Sequence, residues 1–357
     1  MMKKKYKVLI DLDRLKDPNN GLGQVALNYG NILGKTEDPD LKFTLLVPKN
    51  FVGYFGDKVE YEAITFKRRY FPAFCPKYDL WHSIHQDCSY FPGDNTTPIL
   101  LTINDLNFLG EKSRSKAARR LGILQKIVNR VQHITTISDY TAEVVKKNLG
   151  IGNIPIQTVY LGVEVPHIEN PKRPAFVPDG KILFSVGVVR EKKNYMTLIP
   201  FMKELPDEYC LVIAGNRNSD YADQIESKVK ELGLEKRVIL PGLISDEDKC
   251  WIYTNCDAVL FPSKFEGMGF PPIEAMRYEK PVFASTYSSI PEISGDNAYY
   301  WNDFEPAKMA EVFITKMKAF AADPQRGKIV KQHSMKYTWE NCTREYIALY
   351  KKMLGVT

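Results

Sequence analysis

Long hydrophobic runs are missing from this chain: no segment approaches the roughly 20 consecutive apolar residues that a membrane span needs, so none is expected. The basic start MMKKKYKVLIDLDRL is no better as a secretory leader, because Asp11 and Asp13 interrupt its apolar run too early. Cysteine is sparse and unpatterned. The six residues (Cys75, Cys88, Cys210, Cys250, Cys256, Cys342) form no C-x-x-C pair, which argues against a zinc site or a disulfide framework and suits a reducing compartment. A concentrated basic stripe of the kind that grips nucleic acid is also missing, and the net charge of +6 is modest. The expectation is a cytoplasmic protein whose membrane contact, where it exists, is peripheral at the inner face.

At 357 residues, 44% hydrophobic and 26% charged, the chain has the size and composition for two domains with separate cores. Short β-branched or aromatic runs recur at Tyr6–Leu12, Phe43–Pro48, Asp79–Ile84, Pro98–Asp105, His133–Ser138 and Ile156–Val163, separated by polar, helix-like sequence. That alternation predicts an α/β fold with a parallel sheet. A proline- and charge-rich stretch without periodicity, 163–180, reads as the link. A second alternation then begins at KILFSVGVV, so the expected domains are 1–165 and 176–335, followed by a C-terminal helix over 336–357.

Candidate binding residues collect where strands hand over to helices, the usual place for a ligand in doubly wound sheets. Gly21 and Gly23 open the helical run GLGQVALNYGNIL, but the third glycine of a dinucleotide fingerprint is absent. The Asp11–Asp13 DLD mimics a metal-binding DxD, yet inside the first strand it reads more simply as strand and turn, and no metal is expected. His82 and His85 end another strand, open to either a structural role or a ligand in the same crevice. After Gly187, Arg190, Lys192 and Lys193 gather at a strand's carboxyl end, where anions bind, and Asn194 is placed to cap the following helix. Lys112–Arg130 carries seven Lys or Arg and no acid, with Leu121, Leu124, Ile127, Val128 and Val131 as an apolar stripe. It fits either a solvated helix face or a contact with an anionic membrane surface, and the basic-aromatic run FKRRYFPAFCPKY over 66–78 adds to the latter reading.

The most informative stretch is FPSKFEGMGFPPIEAM, 261–276. A buried strand closes at Pro262; Gly267 and Gly269 let the backbone approach a ligand; Pro271 and Pro272 suit the first turn of a helix over Pro271–Tyr278. A helix N-terminus favours an anion such as a diphosphate. Glu266 and Glu274 would repel that anion and are better read as acceptors for sugar or ribose hydroxyls. The chemistry is that of a polyol carrying phosphate.

This string, two glutamates seven residues apart within PS-x-x-EG-x-G-x-PP-x-EAM, resembles the signature of the retaining nucleotide-sugar glycosyltransferases of family 4, which have the GT-B fold. LTINDLNFL, ITTISDYTAEVV, CLVIAGN and PVFASTYSSIPEISGDNAYYW resemble further blocks of that family. The resemblance implies two Rossmann-like domains facing across a cleft, an acceptor side in the first and a nucleotide-sugar site in the second, and a last helix crossing back to the first. It implies transfer of a sugar from a nucleoside diphosphate to an acceptor hydroxyl, without cofactor or metal, in surface polysaccharide or glycolipid assembly. By the same resemblance Lys193, aided by Arg190 or Lys192, meets the diphosphate, Leu243 and Ile244 lie by the base, Glu266 and Gly267, Met268, Gly269 and Phe270 hold the sugar, and Glu274 holds the ribose. The family's usual histidine at position 104 is replaced by Asn104, and the arginine after the Gly-x-Gly step by Gln24. Asn104 can orient a hydroxyl but cannot take up a proton as imidazole does. Its presence keeps open a non-catalytic nucleotide-sugar binder; a same-fold epimerase or phosphorylase is the other alternative.

Overall fold

The computed structural model describes residues 5–18 and 20–356. The basic start at 1–4 and Asn19 of the polar loop lie outside them. Two compact units account for the chain: one runs to Gly162 and takes in Tyr337 onward, the other is Val163–Lys336.

The first unit is a seven-stranded parallel sheet built from β1 (Tyr6–Asp11), β2 (Leu41–Val47), β3 (Glu60–Ala63), β4 (Leu80–Ser83), β5 (Ile99–Ile103), β6 (His133–Thr136) and β7 (Ile156–Thr158). Its order is β3-β2-β1-β4-β5-β6-β7, so the direction of winding reverses between β1 and β4. Central strands are apolar on both faces, as helices on both sides of a parallel sheet require. The edge strand β3, EYEA, went unforeseen because its charges and partial exposure give it no apolar signal.

Helix Gly21–Leu33 follows β1, capped by Asn20, whose side chain accepts from the Gly23 N–H at 2.8 Å. The C-terminal helix Trp339–Leu354 packs in this unit through Trp339, Tyr346, Leu349 and Tyr350. Trp339 sits against Gly162, where a Cβ would stand 2.4 Å from its ring.

The second unit is a six-stranded parallel sheet: β8 (Lys181–Val186), β9 (Tyr209–Ala214), β10 (Val238–Gly242), β11 (Ala258–Phe261), β12 (Val282–Ser285) and β13 (Tyr299–Trp301), ordered β10-β9-β8-β11-β12-β13. Here the reversal lies between β8 and β11. The proline-rich segment from Val163 runs along this unit and is part of it. Both its backbone and its side chains hold it there: Tyr278 donates to the Pro166 carbonyl, and the Arg173 guanidinium lies over the Trp251 ring at 5.8 Å. Both sheets, with their helices, make the chain α/β.

Candidate active site

In open parallel sheets ligands bind outside the carboxyl ends of strands where the winding reverses. Both units place the chemistry-bearing residues of the sequence at that position.

In the second unit the loop after β8 and the loop after β11 meet. Lys193 Nζ donates to Glu266 Oε1 at 2.6 Å, and Ser263 Oγ donates to the same oxygen at 2.6 Å. The Glu266 N–H donates to Ser288 Oγ at 3.1 Å, and Ser289 Oγ donates to the Glu266 carbonyl at 3.2 Å. The lysine and glutamate side chains keep only 11% and 13% of their exposure, so the pair sits largely out of water yet reachable. Lys193 Nζ also lies over the Phe261 ring, 5.0 Å from its centre. Gly187 is required beside it. Its φ is +145°, and a Cβ there would stand 3.1 Å from Lys193 Cε and 3.0 Å from Tyr195 Oη. Burial, and then the Glu266 charge, push the Tyr195 phenol well above its usual pKa, so it stays protonated.

Asn194 does not cap a helix. It adopts the left-handed conformation at φ +57° between two short 3-10 turns, Glu191–Lys193 and Tyr195–Thr197, and makes no capping hydrogen bond. Asparagine tolerates that geometry better than most residues, and it turns the chain so that Lys193 points inward. Arg190 is exposed in the same loop.

Helix Phe270–Arg277 starts one residue earlier than the sequence suggested, with Gly269 in the left-handed region at φ +83° as its N-cap. Pro271 and Pro272 have no N–H, so the first turn offers fewer donors than an ordinary helix N-terminus. An anion there would rely on the backbone of Gly267, Met268, Gly269 and Phe270. Met268 is buried and Phe270 half-buried. One turn into the helix, Glu274 accepts from Lys249 Nζ at 2.8 Å through Oε1 and from Tyr253 Oη at 2.6 Å through Oε2. Lys249 and Tyr253 lie four apart on helix Asp246–Asn255, which Ser245 begins with a capping box to Asp248. Burial and the Glu274 charge hold the Tyr253 phenol protonated. Leu243 is 79% exposed at the turn before this helix, with Ile244 half-buried beside it.

In the first unit the reversal between β1 and β4 carries Asp13 and His85. His85 Nε2 and Asp13 Oδ1 are 2.8 Å apart, and the Arg14 guanidinium lies against the imidazole, Nε to Nε2 at 3.0 Å. Burial opposes the Asp13 charge, but the His85 hydrogen bond with the nearby Arg14 and Lys16 holds its carboxyl below the usual range. Asp11 behaves oppositely: burial and the adjacent Asp13 charge push it well above that range. The DLD is thus strand and turn, with Asp11 Oδ1 accepting from the Asp13 N–H and Asp13 paired to His85.

Asn104 follows β5. Its Nδ2 donates to the Ile84 carbonyl at 3.0 Å and its N–H to Gln86 Oε1 at 3.0 Å, while Oδ1 has no hydrogen-bond partner among the described residues. The amide is clamped with its acceptor spare. His82 is removed from the candidate set. It is fully buried, with Nδ1 2.6 Å from Tyr350 Oη and Nε2 2.8 Å from Thr102 Oγ1, so both nitrogens serve the packing of the C-terminal helix. Burial lowers its pKa to about 3.

The two glycines part company as well. A Cβ on Gly23 would fall 2.0 Å from the Asp17 carbonyl oxygen, whereas nothing lies within 4 Å of one on Gly21. Gly23 is needed by the chain's own loop, and only Gly21 faces open space. Helix Arg114–Val128 buries Ala117, Leu124 and Val128 in the unit's core, so the apolar stripe is spent on folding and the basic side is a solvated face.

Residues 167–332 match the family described as glycosyl transferases group 1. The match lies wholly within the second unit, which is a glycosyl transferases group 1 domain. It is 24% identical over 316 residues to the O-antigen chain mannosyltransferase RfbU of Salmonella typhimurium, covering 83% of this chain and 86% of that one. It is 29% identical over 198 residues to the serotype-specific mannosyltransferase WbdA of Escherichia coli, 52% of this chain but 23% of that longer protein. Among solved structures, Anabaena HepE in complex with UDP and glucose superposes with a TM-score of 0.71 over 97% of this chain and 100% of that one at 15% identity. The shared fold is GT-B. Lys249, Tyr253, Ser263 and Ser288 were not singled out by sequence reasoning; the i, i+4 spacing of Lys249 and Tyr253 is the one local sign that the first two share a helix face.

Proposed function

We propose that this glycosyltransferase moves mannose from a nucleoside diphosphate donor to an acceptor hydroxyl in surface polysaccharide or glycolipid assembly, with retention at the anomeric carbon. The observation that carries the reading is the Lys193–Glu266 pair at the winding reversal of the second unit. A cation and a carboxylate held together there divide a nucleotide sugar between them: the lysine takes the diphosphate, the glutamate the sugar hydroxyls. Glu274, with Lys249 and Tyr253 fixing its carboxylate, accepts from ribose hydroxyls. Mannose is chosen because RfbU and WbdA are both named mannosyltransferases.

The leaving diphosphate gains negative charge as the glycosidic bond breaks, and Lys193 with the backbone of 267–270 faces that charge. Fixed positive groups at a developing anion commonly account for several kcal/mol of transition-state stabilisation. We assign the acceptor to the first unit, where the spare Oδ1 of Asn104 accepts from a hydroxyl. Asn104 takes no proton; the departing phosphate does. Since Lys193 supplies the cation, transfer is expected to proceed unchanged in EDTA.

The test is release of nucleoside diphosphate from a panel of UDP-, GDP- and ADP-sugars, mannosyl donors included, with glycan and glycolipid acceptors. Turnover that needs both substrates and vanishes in Lys193→Ala supports the reading. Tight donor binding without turnover across the panel refutes it, and turnover with a different sugar refutes the choice of mannose.

A further inference from the structure

The crossover from β3 to β4 is built inside out. A crossover segment ordinarily buries apolar side chains on the sheet and shows charge to water. Here the short helix Phe66–Tyr70 buries a single side chain, Arg68, and the turn Pro72–Phe74 buries none. Phe66 and Phe74 are 71% and 75% exposed, and Tyr70 and Phe71 are each more than half exposed. Three of these rings form a cluster, with Phe66 4.5 Å from Tyr70 and 6.1 Å from Phe71, centre to centre, and Phe74 is exposed three residues on.

These aromatics are held outward by a rigid base. Arg68 Nη2 pairs with Glu62 Oε1 at 2.8 Å, and its guanidinium lies over Tyr78 and Trp81. Tyr78 Oη donates to the other Glu62 oxygen at 2.8 Å. From the far side Gly93 packs so closely that a Cβ on it would stand 2.2 Å from the Pro72 carbonyl carbon. The exposure therefore belongs to a braced surface. Monomeric proteins seldom leave a contiguous aromatic patch of this kind unused.

The charge around the patch says what covers it. Lys67, Arg69 and Lys77 are exposed, and the sequence from Ala63 to Tyr78 contains no acid. Aromatic rings that enter the headgroup layer, rimmed by cations that meet lipid phosphate, are the two signals that together hold a protein at a bilayer surface. We propose that the segment 66–77 docks this protein onto an anionic lipid bilayer. The docking surface is then this crossover and not the basic helix Arg114–Val128, whose apolar stripe is already consumed by its own core. The inference stands apart from the transferase reading, since lipid binding is measured without donor or acceptor.

The test is sedimentation of the full chain with vesicles of phosphatidylcholine alone or mixed with phosphatidylglycerol. The wild type is expected to bind the anionic vesicles, less so at high salt. Phe66→Ser/Phe74→Ser and Lys67→Glu/Arg69→Glu are each expected to weaken binding roughly tenfold or more. Lys116→Glu/Arg119→Glu is expected to bind like wild type, and thermal melts of all three check the fold. The proposal is overturned by no binding to either vesicle, by full binding of both patch variants, or by equal loss in the Lys116/Arg119 control. A wild type that self-associates while Phe66→Ser/Phe74→Ser is monomeric also overturns it, because the patch would then seat a second copy.

Discussion

Lys193 and Glu266 were visible in the sequence as two charged residues far apart; the fold joins them in one ion pair at 2.6 Å. Lys193→Ala is expected to lower kcat by roughly 10²–10³-fold, the size of effect that losing a preorganised charge stabiliser has. Glu274 differs, since its proposed role is to hold the ribose in ground and transition states alike. Glu274→Gln should therefore raise the donor KM while kcat changes little, a split that steady-state kinetics resolves. His82 illustrates the opposite outcome. A histidine at a strand end suggests a ligand, but tertiary packing has enclosed it between Thr102 and Tyr350. Because burial lowers its folded pKa to about 3, it stays neutral in the fold while the unfolded chain protonates below about pH 6.5. Its contribution is complete above pH 6.5 and is lost as pH falls toward 3, by roughly 1.4 kcal/mol per unit. Thermal melts between pH 7 and 4 should show that slope reduced in His82→Gln.

At the scale of elements, the strands and the helix over 21–33 were legible because apolar periodicity and caps are local signals. The edge strand Glu60–Ala63 was not, since its place in the sheet comes from pairing with β2 and not from its own side chains. Asn194 was misjudged as a helix cap for a related reason: a cap and a left-handed joint both favour asparagine, and only the backbone distinguishes them. The paired glycines give a clean element-level test. Gly23→Ala should destabilise by about 1–3 kcal/mol, because the new Cβ meets a backbone carbonyl that cannot move cheaply. Gly21→Ala should leave the melting temperature nearly unchanged; a selective loss of activity in that variant would show that a ligand uses the open space.

For the whole molecule, the arrangement of the chain predicts unequal halves. Val163–Lys336 is continuous, whereas the first unit is completed by the last helix, whose Trp339, Tyr346 and Tyr350 reach Gly162, Thr102 and His82. The fragment 163–336 is expected to unfold cooperatively in a thermal melt. A chain ending at residue 336 should lose the first unit's transition while keeping the second's.

The sequence by itself determined the α/β alternation, the strand-turn-helix around Glu266 and the identity of the charged residues that follow the strands. These depend on periodicity, turn chemistry and spacing, all written within a few residues of one another. Tertiary structure alone decided that Lys193 faces Glu266, that Lys249 and Tyr253 fix Glu274, that His82 is core, and that four aromatic rings near residue 70 stand in solvent. Each of those outcomes turns on which residues distant in the chain share a sheet edge or a helix face, and no local pattern specifies that.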